Sequence, residues 1–320
     1  MKIINKFNFS EKNLENKSKK LNLSKEKELY SKIDSIILTT SDGHDLLFLQ
    51  YTSLGVGNLI LTYIYALYIK LFTKDLKIIP FYPILIHPII KNFKYFFVRS
   101  SFQFNYKKKH LKRLFHFFLL RKPIKNIFIR KKDLFLSTDI INQDSLFFKK
   151  ISDLDLNYIK ANIISVFNFN YTIKEKADLD LIKSKDRILS VGLHLRRGDF
   201  KTNRNSSSNF NTSPDINSQI DIIKKIKAKI KVINVYSDQS HSKTIEELNG
   251  KLNEFKLNLF PENANGTKVL QDMTKNDVII LSNSTLSVVS CILSNQLALF
   301  NNQILPKQIK KYFKNIHEIN

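Results

Sequence analysis

The strongest constraint on the fold of this chain is a rhythm in its second half. Short apolar runs alternate with helix-length segments from Arg187 to Phe300. Arg187–Leu195, Lys231–Ser237, Phe255–Phe260, Asp277–Ser282 and Gln296–Phe300 have the length and composition of buried strands. Gln219–Ile230, Ser242–Asn253, Gly266–Lys275 and Ser284–Ser294 fall between them with helical spacing. A helix after each strand carries the chain back to start a parallel neighbour. The alternation therefore predicts an α/β protein whose C-terminal half is a doubly wound parallel sheet. Ligands of such sheets bind at the carboxyl ends of the strands. Three polar clusters fall there: His194–Asp199, Asp238 and Asn283–Ser287.

The first cluster is the richest in chemistry. Val191-Gly192-Leu193-His194-Leu195-Arg196-Arg197-Gly198-Asp199-Phe200 runs from an apolar strand into a ring nitrogen, two guanidiniums and a carboxylate. Adjacent guanidiniums repel and call for an anion nearby. Arg presents a planar fork that matches phosphate, and it stays charged at neutral pH. The chain has eight Arg against forty-four Lys, so an Arg pair signals geometry rather than charge alone. The plain alternative is a basic strand end on a solvated loop. Asp238 follows a strand, where it can meet a ligand hydroxyl or cap the next helix. In Asn283–Ser287 an amide and hydroxyls precede a helix, whose first N–H groups attract a phosphate.

The first half is less legible. Residues 1–40 are polar and Lys-rich, and read as an N-terminal extension. Leu46–Tyr51 suits a buried strand. Gly55 and Gly57 form a tight turn ending in Asn58, and Leu59–Phe72 then has helical length. Such a turn can bring backbone N–H groups to a ligand. Four of the seven glycines lie in this turn and the Arg motif. Tyr106–Lys132 carries eleven Lys/Arg and no carboxylate, interleaved with Phe. It suits an anionic membrane surface, a glycan or a nucleic acid, or a helix on a Lys-biased surface. The expected layout is an extension (1–40), an N-terminal domain (41–183), a C-terminal domain that carries the three polar clusters (184–305) and a tail (306–320).

The net charge of +24 fits a nucleic acid, an anionic membrane or a phosphorylated substrate as partner. A general bias towards Lys, Ile, Asn and Phe explains it equally well. The single Cys291 rules out an intrachain disulfide and sits in an apolar run, as a buried inert thiol would. The N-terminus lacks a signal-peptide core. Leu59–Ile69, the longest apolar run, is about half the length of a membrane span. These features predict a cytoplasmic protein, soluble or peripheral at the inner face of the membrane.

His194-x-Arg196-Arg197-x-Asp199 resembles the signature of the α-1,2-fucosyltransferases, glycosyltransferase family eleven. Related motifs occur in α-1,6- and protein O-fucosyltransferases. Gly55-Val56-Gly57-Asn58 resembles that family's Gly-rich turn, with Leu54 and Leu59 replacing its first Gly and its Gln. Asp238 resembles an Asp of the family, with Gln239 replacing a second Asp. Asp272 and Asn283-Ser284-Thr285-Leu286-Ser287 resemble a further segment, with Val288 and Val289 replacing a Trp pair. The resemblance spans roughly residues 45–305. It implies two Rossmann-like domains of the GT-B type and an inverting, metal-independent transfer of fucose. The donor would be GDP-fucose, with no further cofactor. The acceptor would be a sugar hydroxyl, typically of galactose, in an oligosaccharide, a lipid-linked glycan or a surface polysaccharide. Arg196 and Arg197 would take the β-phosphate and leaving oxygen, and His194 would orient the pyrophosphate. Asp199 would hold the Arg pair or the fucose, or act as base. Asn283, Ser284, Thr285, Ser287, Asp238, Gly55, Gly57 and Asn58 would bind the donor. No metal site is expected. The seven His lack ligand spacing, and Asp-x-Asp occurs only at Asp153–Asp155 and Asp178–Asp180, upstream of the Arg motif. The rival readings are a basic nucleic-acid- or membrane-binding protein, a degenerate transferase, or a transferase using another nucleotide sugar.

Overall fold

A computed structural model of the chain describes Tyr30, Ser31, Ile33 and residues 35–39, 56–73, 76–80, 133–137, 141, 144–167, 169–175, 178–196, 216–262, 264 and 266–319. The chain divides into two units. Met1–Leu54, Asn58–Phe96 and Phe102–Phe167 form the first, and Gly55–Gly57, Phe97–Ser101 and Asn168–Asn320 the second.

In the first unit β1 (Ser35–Thr39) pairs in parallel with β2 (Lys77–Pro80) and β3 (Asp133–Ser137), in the order β2-β1-β3. The central strand thus falls inside residues 1–40, which the sequence reading treats as an extension. Five residues, Ser-Ile-Ile-Leu-Thr, suffice because both strand edges are paired. The expected strand at Leu46–Tyr51 and the basic stretch Tyr106–Lys132 lie outside the described residues.

Helix α1 (Val56–Lys70) is the helix expected over Leu59–Phe72, and every residue from Leu59 to Ile69 is buried. A helix apolar on all faces is an interior helix. Beside it, α2 (Phe147–Ser152) brings Lys150 into the interior at 8% exposure. Its ammonium donates to Asp144 Oδ2 at 2.8 Å, and Tyr65 Oη donates to the same oxygen at 2.6 Å. Burial pushes the Asp144 carboxyl up, but Lys150, Tyr65 and the Leu146 N–H outweigh it and hold it below the usual value. A paired charge is the tolerable form of a buried lysine. Asp155 Oδ1 accepts from the N–H groups of Asn157 and Tyr158 and caps α3 (Leu156–Phe167).

The second unit opens with the short helix α4 (Asp180–Lys183), just before which Asp178 Oδ1 accepts from Asp180 N at 3.2 Å. It then alternates β4 (Ile188–Leu195), α5 (Ile216–Lys225), β5 (Lys229–Ser237), α6 (His241–Leu248), β6 (Leu257–Leu259), α7 (Gly266–Met273), β7 (Val278–Ile280), α8 (Thr285–Ser294), β8 (Leu297–Phe300), α9 (Ile304–Ile309) and β9 (Ile316–Glu318). All six strands are parallel, in the order β6-β5-β4-β7-β8-β9. Counted from β4 as the first, that order is 3-2-1-4-5-6, a Rossmann-like arrangement. The predicted alternation stands, with each strand and helix within a few residues of its expected place.

The predicted tail is a correction. Residues 306–320 hold β9, which extends the sheet beside β8. Asn315 is buried at 5% exposure, and its Nδ2 donates to Cys291 O at 3.0 Å and Gln296 O at 2.8 Å. Strand β9 is three residues long, too short for a period to show.

The two faces of β4 explain its sequence. Leu189, Val191, Leu193 and Leu195 join the core beneath Ile216, Ile220 and Ile223 of α5. Ser190, Gly192 and His194 alternate with them on the other face. Above Gly192 sits the Asn276 amide, so a Cβ there would lie 2.9 Å from Asn276 Nδ2. That space lets Asn276 Oδ1 accept from Asn234 Nδ2 at 2.7 Å, while Asn234 Oδ1 accepts from Asn258 Nδ2 at 2.8 Å. The polar row crosses β6, β5 and β4 with each amide satisfied by the next.

Candidate functional site

The strand order reverses between β4 and β7, because β5 follows β4 on one side and β7 returns on the other. Crossovers leave in opposite directions there and open a crevice at the carboxyl ends, the usual ligand position in such sheets. His194 and Arg196 end β4, and Ser282–Ser287 follow β7. Asp238 follows β5, the neighbour on the far side of β4. Arg197, Asp199 and Gly55 lie outside the described residues.

His194 is 4% exposed. Its Nδ1 lies 2.7 Å from the hydroxyl of Ser282, itself fully buried. Burial, and then the Arg196 charge, push its pKa down to about 3, so the ring is neutral throughout the physiological range. The sequence reading gives His194 to the pyrophosphate. Such a contact is made by a neutral hydrogen-bonding ring and not by a cation.

Arg196 Nε lies 3.3 Å from Asp238 Oδ2, with each side chain about a quarter exposed (25% and 29%). The sequence treats these residues separately, one for phosphate and one for the nucleoside. The structure joins them as an ion pair across the ends of β4 and β5. A partly exposed pair adds little stability, on the order of 1 kcal/mol or less. Its consequence is orientation: the carboxylate holds the guanidinium beside the carboxyl ends of β4 and β5.

The polar turn after β7 divides into separate tasks. Ser284 is the N-cap of α8, its Oγ accepting from Leu286 N at 3.3 Å. Asn283 Oδ1 accepts from Leu305 N at 3.0 Å and so satisfies the start of α9. Ser287 is fully buried and donates to Ser284 O at 3.1 Å, bracing the turn. Thr285 is half-buried, and its hydroxyl makes no hydrogen bond to the described residues. Asn283, Ser284 and Ser287 thus shape the turn, and Thr285 is the residue of the four whose hydroxyl the turn does not use. Asp272 accepts from Tyr236 Oη at 2.9 Å and from Lys275 Nζ at 2.9 Å, so it supports the sheet face.

Gly57 belongs to the second unit and meets this same turn. A Cβ on Gly57 would lie 2.6 Å from both Leu286 N and Thr285 C. Backbone at that distance admits only glycine. Gly57 and Asn58, expected in a turn before the helix, lie inside α1 itself, and the glycine at 57 is explained by close approach to the first turn of α8. Asn58 is part-buried, and its Oδ1 is buried with no hydrogen-bond partner among the described residues.

One residue escapes the sequence reading. Gln219 of α5 is fully buried, and its Nε2 donates to His194 O and to Leu281 O, both at 3.1 Å. A single amide thereby links the ends of β4 and β7 across the reversal. The signal is a polar residue within the apolar stripe formed by Ile216, Ile220 and Ile223. Cys291, also fully buried, has its thiol pushed up by burial and is unreactive.

Among the described residues no group of three or more His, Cys, Asp or Glu is placed to hold a metal ion, and no helix is long and apolar enough to cross a membrane. No protein-family model, curated protein or solved structure matches the chain.

Proposed function

We propose that the second unit binds the diphosphate of a nucleotide sugar, and that the chain is an inverting glycosyltransferase moving fucose from GDP-fucose to a sugar hydroxyl. The observation that carries this reading is the convergence of His194, Arg196 and the α8 start at the reversal of a parallel sheet. The assignment to fucose rests on the resemblance at His194–Asp199 and Asn283–Ser287.

In this reading the acceptor oxygen forms a bond to C1 of the fucose as the bond from C1 to the β-phosphate oxygen breaks. The bonding electrons leave with GDP, so negative charge grows on the diphosphate. Arg196 and Arg197 stabilise that charge, which is where a fixed guanidinium lowers the barrier most. The α8 start and Thr285 add neutral donors. His194 donates without adding charge. Asp238 keeps Arg196 aimed. The acceptor proton passes to a base, for which Asp199 is the candidate.

The direct test is thermal shift with GDP, UDP and single-stranded RNA, followed by incubation of GDP-fucose with a galactoside. The account expects selective stabilisation by GDP and a fucosylated product. Salt-sensitive RNA binding without a GDP effect would favour the basic-binder reading. GDP binding without any transfer would favour a degenerate transferase.

A further inference from the structure

We propose that Ser282 is a positioning residue that fixes His194 in its neutral Nε2–H form, which makes His194 a hydrogen-bond donor to a ligand oxygen and not a base. The use of that donor on a diphosphate rests on the proposed function; the tautomer does not.

The hydrogens shared within one buried cluster fix the tautomer. His194 Nδ1 and Ser282 Oγ are 2.7 Å apart, and either can be the donor on distance alone. The neighbours decide. Ser287 spends its hydroxyl hydrogen on Ser284 O at 3.1 Å. Among the described residues the other neighbour of the Ser282 hydroxyl is Ser287 Oγ at 3.5 Å, too long for an effective O–H···O bond. If Nδ1 carried the proton, Ser282 would accept it and leave its own hydrogen almost unused inside the protein. Ser282 is fully buried, so an idle donor is costly. If Ser282 donates, the short bond is made and no hydrogen is wasted. Nδ1 is then the acceptor, and in a neutral ring the proton must sit on Nε2.

The surroundings keep the ring neutral. His194 is 4% exposed, and Arg196 two residues on adds a repelling positive charge. Gln219 and Leu281 hold the two strand ends so that the His194–Ser282 distance is maintained. Three roles are open to a histidine at a strand end: cation, base or donor. Burial removes the first and the Ser282 hydrogen bond removes the second. A neutral donor is useful beside paired arginines because it binds a phosphate oxygen without adding to their mutual repulsion.

The test is long-range proton–nitrogen correlation spectroscopy of the ligand-free full chain labelled with 15N-histidine. The His194 signals are assigned by their loss in His194→Asn. The proposal expects a protonated Nε2 and an unprotonated Nδ1 at pH 7. A protonated Nδ1, or signals averaged between the two forms, would overturn it. Ser282→Ala should release the ring to a mixture, and Ser282→Thr should restore the single form. Ser282→Ala should also weaken GDP binding roughly tenfold, as loss of one oriented donor to a charged group would, with Thr restoring it. Unchanged GDP affinity in Ser282→Ala would end the positioning role. Should Ser282→Ala fail to fold, the wild-type and Thr spectra still decide the tautomer. Absence of GDP binding in the wild type would refute the donor-site reading and leave the tautomer result standing on its own.

Discussion

Lowering the pH should unload the fold through His194, and the size of the effect follows from its burial. The ring ionises at about 3 in the folded chain, against an ordinary value of about 6.5 when unfolded. Between those values the unfolded chain binds a proton that the folded chain refuses. Stability is therefore complete above about pH 6.5 and falls as pH drops toward 3. From pH 8 to pH 5 the loss is about 1.5 pH units of linkage, or about 2 kcal/mol. The figure barely depends on the folded value as long as that value stays well below 5. Asp144 and Asp277 are also held below the usual carboxylate range, but their contribution is lost only below about pH 4. His317 is shifted down as well, by burial, and contributes to both chains of a comparison. The assay is urea unfolding at pH 8, 7, 6 and 5 for wild type and His194→Asn. The difference between the two should shrink by about 2 kcal/mol across that range. A constant difference would refute the argument, because it would mean that His194 takes a proton as readily inside the protein as outside.

Other perturbations address the site. Gly57→Ala places a Cβ 2.6 Å from the backbone of Thr285–Leu286 and should cost about 1–3 kcal/mol in urea unfolding; unaltered stability would show that the contact is not maintained in solution. Asp238→Asn should weaken GDP and inorganic pyrophosphate alike, since the structure ties Asp238 to Arg196; a loss of preference for GDP over UDP at equal pyrophosphate affinity would assign it to the base instead. Arg197→Lys keeps the charge and loses the fork, so turnover should fall by about two to four orders of magnitude, the equivalent of roughly 3–5 kcal/mol in the transition state. Turnover near wild type would remove Arg197 from the chemistry.

The sheet of the second unit was legible because its strands carry their own punctuation. Val191, Leu193 and Leu195 alternate with Gly192 and His194, and each run is followed by a helix with a clear apolar stripe. The same logic fails at β1, where Ile36–Leu38 sits in Lys-rich surroundings, and at β9, where Ile316–Glu318 is held mainly by Asn315 and its strand neighbour. Strands of this length are defined by partners distant in sequence, which composition does not reveal. At the site, residue identity singled out the turn after β7 but did not reveal the division of work within it. Asn283, Ser284 and Ser287 look like three ligand donors in the sequence, and the structure spends all three on helix starts and the turn. The Arg196–Asp238 and His194–Ser282 pairs join residues 42 and 88 positions apart, and such pairings follow from strand order alone. Gln219 shows the reverse case, a polar residue at a core position whose purpose appears only when β4 and β7 lie side by side.

The central claim is that this crevice holds the diphosphate of GDP-fucose and expels it through protein cations. Its most direct test is the initial rate of GDP release and of fucoside formation, measured together with a galactoside acceptor, with and without a chelator. The account predicts equal amounts of GDP and fucoside, and rates that change less than about twofold on chelation or on addition of magnesium or manganese. Loss of transfer on chelation with rescue by manganese would contradict the roles given to Arg196 and Arg197, and absence of both GDP binding and transfer would contradict the donor site itself.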